Sequence, residues 1–211
     1  QLFFQYEWFQ WLGALPEIAM YTLFASLAIL SLMIALGLFY RISTILFFFG
    51  YSYFFLLERA IYNNHYYLIC LLSFFLIFAP LHKAWSLDVL RGSVSHKEYF
   101  PAIWLWIFRF HISIVYFYGG IAKFDQDWLN GLAPRKLLGE GNRGTILEQL
   151  MQYDWVPYFY AWSGLLFDLF IPFLMFYKPV RKWAFICVII FHTNNNFVFS
   201  IGVFPLLALM L

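Results

Sequence analysis

The chain is a series of apolar runs too long and too closely spaced for a water-soluble globule. They cover about residues 16–40, 43–58, 66–80, 99–122, 157–177, 182–193 and 197–211, and most are separated by short polar connections. In hydrocarbon the backbone must satisfy its own hydrogen bonds, so such runs fold as helices. Composition agrees, with 64% hydrophobic and 11% charged residues against about 25% charged in soluble domains. The pattern predicts an all-α, polytopic helical membrane domain of about six or seven spans, given about 20 residues per crossing. The runs 43–58, 66–80 and 182–193 are short for a crossing and imply tilt or re-entry.

The formal charge is only +2, and aromatic residues with few basic ones do not make a nucleic-acid groove. Cys70 and Cys187 sit inside apolar runs with no second ligand at metal spacing, so they read as packing residues. No internal repeat of the kind many transporters carry is visible. The chain starts on Gln1 and stops at Leu211 within an apolar run. It reads as one transmembrane domain over 1–211 and as part of a longer chain.

Alternation of the spans gives sidedness. One side collects Arg41, Lys83, Arg91, Lys97, Lys178, Arg181 and Lys182, and the other Arg59, Lys123, Arg135, Lys136 and Arg143. The bias makes the first side cytoplasmic and the second periplasmic or luminal. Three stretches reach the second side: "ERAIYNNHYY" (58–67), "GGIAKFDQDW" (119–128) and "FHTNNN" (191–196). They deliver Glu58, Arg59, Asn63, Asn64, His65, Lys123, Asp125, Asp127, His192, Thr193 and Asn194 to one level. Lysines at helix ends commonly mark the approach to water and amide runs commonly bond between helices. Convergence from separate spans instead suggests a site.

The chemistry of that site is bounded by its residue types. The histidines and scattered acids lack metal-ligand spacing, so no metal is expected. There is no nucleophile elbow and no phosphate-binding loop; "GEGNRG" (139–144) reads as a turn. A lysine, amides, imidazoles and many aromatics suit a flat apolar ligand with a proton to remove. Lys123 serves as the base if burial lowers its pKa. Gly119-Gly120 lets the backbone approach a neighbour or a flat ligand. Trp128 and Asp127 are placed at the water side, with the amphipathic stretch 145–153 as a cover. Arg109 and Asp168 lie deep in their spans, where an unpaired charge costs roughly 2.5–3.5 kcal/mol. They are therefore expected to form a structural ion pair, joined by His111.

The stretches "YNNHYYL", "SIVYFYGGIAKFDQDWLNG" and "FHTNNNFVFSIGVFP" resemble the vitamin K-dependent gamma-glutamyl carboxylase family and its bacterial relatives, grouped as horizontally transferred transmembrane domain proteins. "LGLFYRISTILFF" and "HKAWSLD" are similar too, in the same order, so the resemblance covers nearly the whole chain. It implies that Lys123 deprotonates vitamin K hydroquinone, or a menaquinol. Oxygen then yields the epoxide and a strong base that takes a glutamate γ-proton, and the carbanion adds to carbon dioxide. It also implies a role for His65 in carboxylation. Asn63, Asn64, His192 and Asn194 would bind the quinol or stabilise its anion. Members of the family have a further membrane helix before the point where this sequence starts, and the carboxylase has a large luminal domain after the point where it ends. "HTNNN" is richer in amides than the family pattern.

The expected partners are thus the lipid bilayer, a quinol and a glutamate-containing peptide or protein, in a bacterial inner membrane rather than the endoplasmic reticulum. The competing reading is a non-catalytic membrane module for maturation or secretion of a partner peptide. It accounts for the topology but gives no reason for Lys123 with Asn64 and His65 at one level.

Overall fold

The computed structural model describes residues 4–141 and 146–198, and every regular element among them is helical. The chain divides into two units, Gln1–Trp104 and Leu105–Leu211. The helices are α1 Glu17–Leu36, α2 Tyr40–Leu57, α3 Asn64–Phe78, α4 Leu87–Leu90, α5 Ala102–Ile121, α6 Gln126–Leu129, α7 Leu132–Gly141, α8 Ile146–Leu150, α9 Trp155–Phe176 and α10 Arg181–Val198. Four of them, α1, α2, α5 and α9, are long and apolar enough to cross a membrane. The apolar α3 is shorter, and α10 ends in the amide-rich "HTNNN". Of the run 197–211, residues 199–211 lie outside the described residues. Large apolar side chains stand exposed along these helices, among them Ile18, Leu32, Ile42, Phe170 and Ile190. That exposure fits lipid as the surrounding solvent and an integral membrane protein.

In the first unit α2 packs between α1 and α3. Gly50 permits the close approach to α1: a Cβ there would lie 3.1 Å from Leu27 Cδ2. Phe24 meets Phe54 edge to face at 5.0 Å. Toward α3, the Tyr40 hydroxyl donates to the Leu76 carbonyl at 3.1 Å and Phe48 lies 5.5 Å from Phe74.

The α1–α2 corner shows why α1 ends. Arg41 was expected to stop the first run, but α1 closes earlier, on Gly37 in the left-handed region (φ 62°). Arg41 lies in the first turn of α2, and its guanidinium donates to the Ile77 carbonyl in the last turn of α3. Phe39 also takes a left-handed conformation (φ 44°), which strains a residue with a side chain. Asp88 holds it there. Its buried carboxylate accepts from the backbone N–H of Phe39 (2.9 Å) and of Tyr40 (3.0 Å), filling the N-terminus of α2. Arg91 pairs with the same carboxylate at 2.9 Å and lies 3.8 Å over the Phe39 ring. The Asp88 N–H returns a bond to the Gly37 carbonyl at 3.0 Å. Thus "LGLFYR" and "HKAWSLD", about 45 residues apart in sequence, form one corner. His82 completes it by stacking on Tyr40 at 4.7 Å.

In the second unit α9 is the central helix. Its buried residues Ala161, Gly164, Leu165, Asp168, Ile171 and Pro172 recur at helical spacing and form one stripe. α7 and α10 pack against α9. Leu138, Met151 and Val156 make a small core under α7, α8 and α9. Ile171, Ala184 and Val188 make another, with Tyr116 and Phe167 against it. The expected turn at 139–144 is partly helix: residues 139–141 complete α7, and 142–145 lie outside the described residues. The helix extends because Leu138 in its last turns is fully buried in the core with Met151 and Val156. The cationic turn after α9 closes that helix, since Arg181 donates to the carbonyls of Met175 (2.8 Å) and Phe176 (3.3 Å).

Burial acts to raise the Asp88 carboxyl, but the Tyr40 and Phe39 amides and the Arg91 guanidinium outweigh it and hold it below the usual carboxylate range. A depressed carboxyl contributes stability above its unfolded value of about 3.9 and loses it as pH falls through the lower folded value. Asp88→Ala should therefore cost about 1–3 kcal/mol at neutral pH, measured by thermal unfolding in detergent. The gap between wild type and variant should close in acid. A gap that is unchanged in acid would show that the cap does not depend on its charge.

Candidate functional site

Lys123 follows α5, in the turn where its N–H bonds the Gly120 carbonyl at 3.0 Å. Its side chain does not reach outward; it folds back across the end of α5. The Nζ donates to the Gly119 carbonyl at 3.2 Å and forms an ion pair with Asp168 Oδ2 of α9. The two side chains are 20% and 12% exposed. The Trp128 ring lies beside them, its centroid 5.2 Å from Nζ. Trp128 is itself fixed at both ends. Its indole N–H donates to the Ala161 carbonyl at 2.9 Å, and its backbone N–H to Asp125 Oδ1 at 2.9 Å. Asp125 is thereby the N-cap of α6.

Glycines make this enclosure possible. A Cβ on Gly120 would come within 2.8 Å of the Leu169 side chain and 3.0 Å of the Leu169 backbone nitrogen. One on Gly119 would stand 3.4 Å from Asp168 Oδ2. The glycine pair therefore brings α5 against a neighbouring backbone, as expected from the sequence, and the neighbour is α9. Gly164 opens the opposite wall: a Cβ there would lie 3.7 Å from the Trp128 ring and 4.0 Å from Lys123 Cε.

Tyr116, Gly119, Gly120 and Lys123 fall at i, i+3, i+4 and i+7, and so lie along one face. On that face, about two turns before Lys123, the Tyr116 hydroxyl shares a 2.5 Å hydrogen bond with His192 Nε2. His192 is fully buried in α10. Phe167 and Phe191 stack beside it at 3.8 Å. Asn194 is half-buried and Asn195 buried in the same helix.

In the first unit, Asn63 is the N-cap residue of α3, half-buried, with its carbonyl accepting from Tyr66 (3.0 Å) and Tyr67 (3.1 Å). Asn64 begins the helix and is exposed, while His65 is buried with its ring 5.0 Å from that of Tyr66. Neighbours on a helix point about 100° apart, so these two face different surroundings. Glu58 is occupied locally, accepting from Ala60 (2.9 Å) and Phe4 (3.2 Å).

The expected Arg109–Asp168 pair is not formed. Asp168 takes Lys123 instead, and Arg109 lies 6.0 Å over the Trp106 ring. His111 Nδ1 is bonded to the Ile107 carbonyl of its own helix at 2.8 Å. Helix register is the reason. α5 and α9 run antiparallel with Trp106 stacked on Phe176 and Gly120 against Leu169. Asp168 therefore stands level with Gly119, about 15 Å along α5 from Arg109. A mid-span position in two sequences does not make two residues meet.

Trp128, expected as a marker of the water side, is a wall of the lysine enclosure. Tyr116 lies seven residues before Lys123, but among so many aromatics that spacing carries no signal. Asp168 stands out in the sequence by its depth, and its partner is Lys123 rather than Arg109.

The family model for the HTTM domain matches residues 1–211. No solved structure matches the chain. The match extends over the entire sequence, through the Asn-Asn-His stretch, the Lys123 enclosure and the His192 helix alike. The chain therefore belongs to the HTTM domain family, whose domain is found in vitamin K-dependent gamma-glutamyl carboxylase.

Proposed function

We propose that this chain is the membrane catalytic module of a vitamin K-dependent carboxylase-like enzyme, oxidising a quinol to its epoxide and using that chemistry to carboxylate glutamate side chains. The observation that carries the reading is the enclosed amine of Lys123, withdrawn from the helix end into contact with Asp168 and Trp128. A lysine that only marked the exit from a membrane would extend toward water. This one is held by three partners and by glycines that make room for them.

Vitamin K hydroquinone or a menaquinol, when bound, supplies the oxygen chemistry that generates a base strong enough for a glutamate γ-proton. The chain's own residues have narrower tasks. Lys123 removes the first quinol proton and remains as a cation beside the anion. Trp128, with its ring held by Ala161 and its backbone by Asp125, covers one side of the amine. Within the second unit, His192 and Asn194 are the candidates for hydrogen bonds to the quinol oxygens; in the first unit the family likeness gives Asn63 and Asn64 the same kind of role and His65 a role in carboxylation. The surplus of Lys and Arg on the other side supports a periplasmic active face in a bacterial inner membrane.

The test is to incubate the purified protein with reduced vitamin K, oxygen and labelled carbon dioxide, with a glutamate-containing peptide. Epoxide and fixed carbon are measured separately. Lys123→Ala should lower epoxide formation by about 10²–10⁴-fold, the range for loss of a general base, with part of the rate restored by a small exogenous amine. Epoxidation at the wild-type rate in this variant would sink the base assignment. A wild-type protein that retains no quinone and forms no epoxide would favour the non-catalytic module instead.

His65→Ala should reduce fixed carbon much more than epoxide. Equal loss of both products would move His65 from carboxylation to quinol binding or packing.

A further inference from the structure

An ammonium group has no lone pair, so Lys123 cannot take a proton while it stands as the cation of an ion pair. Two of its three N–H positions are engaged, one by Asp168 Oδ2 and one by the Gly119 carbonyl. The Trp128 ring lies on another side, its centroid 5.2 Å from Nζ. The base reading of Lys123 therefore needs a place for the proton that the amine already holds. The carboxylate in direct contact is Asp168, on the buried stripe of α9.

We infer that Asp168 is the proton acceptor of the site, acting through Lys123, and that the pair rather than the lysine alone is the functional base. This rests on the reading of Lys123 as the group that deprotonates the quinol. The step balances without any further reactant. The Nζ–H bond breaks and an O–H bond forms on Asp168, converting ammonium and carboxylate to amine and carboxylic acid. The freed lone pair of Nζ then takes the quinol hydroxyl proton, leaving the electron pair of the O–H bond on the quinol oxygen. The net result is a proton moved from quinol to Asp168, with Lys123 again a cation, now facing a quinol anion. The total charge is the same before and after. That matters where little water is available to stabilise a change in charge.

The geometry suits a relay. Asp168 and Lys123 are held from opposite helices by direct contact and need no movement of either backbone. Gly119 leaves open space beside Oδ2, where a Cβ would stand 3.4 Å away. Asp168 is thus a positioning residue with a proton to hold, while Lys123 touches the substrate.

The experiment uses the full chain in lipid nanodiscs with two readouts. In the first, reduced vitamin K is added under nitrogen, so that no turnover occurs, and infrared difference spectra are recorded. The wild type should gain a carboxylic acid C=O band that is absent in Asp168→Asn and in Lys123→Ala. In the second, epoxidation is followed against pH. Asp168→Asn should lower the neutral-pH rate by on the order of a hundredfold and regain about tenfold per pH unit toward alkali, because the amine must then lose its proton to bulk water. Asp168→Glu should keep the wild-type pH profile.

A loss in Asp168→Asn by the same factor at every pH would overturn the proposal and leave Asp168 a packing residue. So would a wild type that turns over without the carboxylic band, a result that does not depend on any variant folding. If the wild type forms no epoxide, the base reading of Lys123 falls first and the relay falls with it.

Discussion

In hydrocarbon a peptide N–H or C=O without a partner costs several kcal/mol, about the stability of a small domain. The helices of this chain meet that constraint along their length, but each helix end leaves groups unpaired. Several polar residues of an otherwise apolar sequence serve those ends. Asp88 fills the N-terminus of α2, Arg41 reaches the last turn of α3, Asp125 caps α6 and Arg181 takes the final carbonyls of α9. Lys123 obeys the same rule, since the Gly119 carbonyl it bonds lies in the last turn of α5.

On the proposed reading, that shared rule lets a structural device become a functional one. A cation that closes a helix end is already fixed in place and already partly withdrawn from water. Adding a carboxylate from a second helix gives it a partner with which to exchange a proton. Adding an indole face shields it. The Asp88–Arg91 pair is instead committed to two backbone amides and a stacked ring at the start of α2. Lys123 and Asp168 have fewer fixed partners and retain donor and acceptor positions.

Several particulars were legible in the sequence. The apolar runs marked the long helices to within a few residues, because lipid leaves a long apolar run little alternative to a helix. The glycine pair pointed to close backbone approach, since absence of a side chain is a local property. The motif stretches pointed to the family to which the chain belongs. The Arg109–Asp168 pairing was not legible, because it depended on the offset between two antiparallel helices. Tyr116 was hidden for the opposite reason. In a chain that is 25% aromatic, one tyrosine carries no signal until its neighbour, His192, is known.

What the sequence by itself determined is therefore the kind of solvent, the kind of secondary structure and the stock of reactive groups. Each follows from composition and short-range pattern. Tertiary structure alone decided which charge meets which. Register is set by the sum of many apolar contacts and close glycine approaches, such as Trp106 on Phe176 and Gly120 on Leu169. An offset of about three turns moves a side chain roughly 15 Å along its helix. Over that distance the choice of partner for Asp168 passes from Arg109, a permanent cation, to Lys123, a cation able to give up its proton.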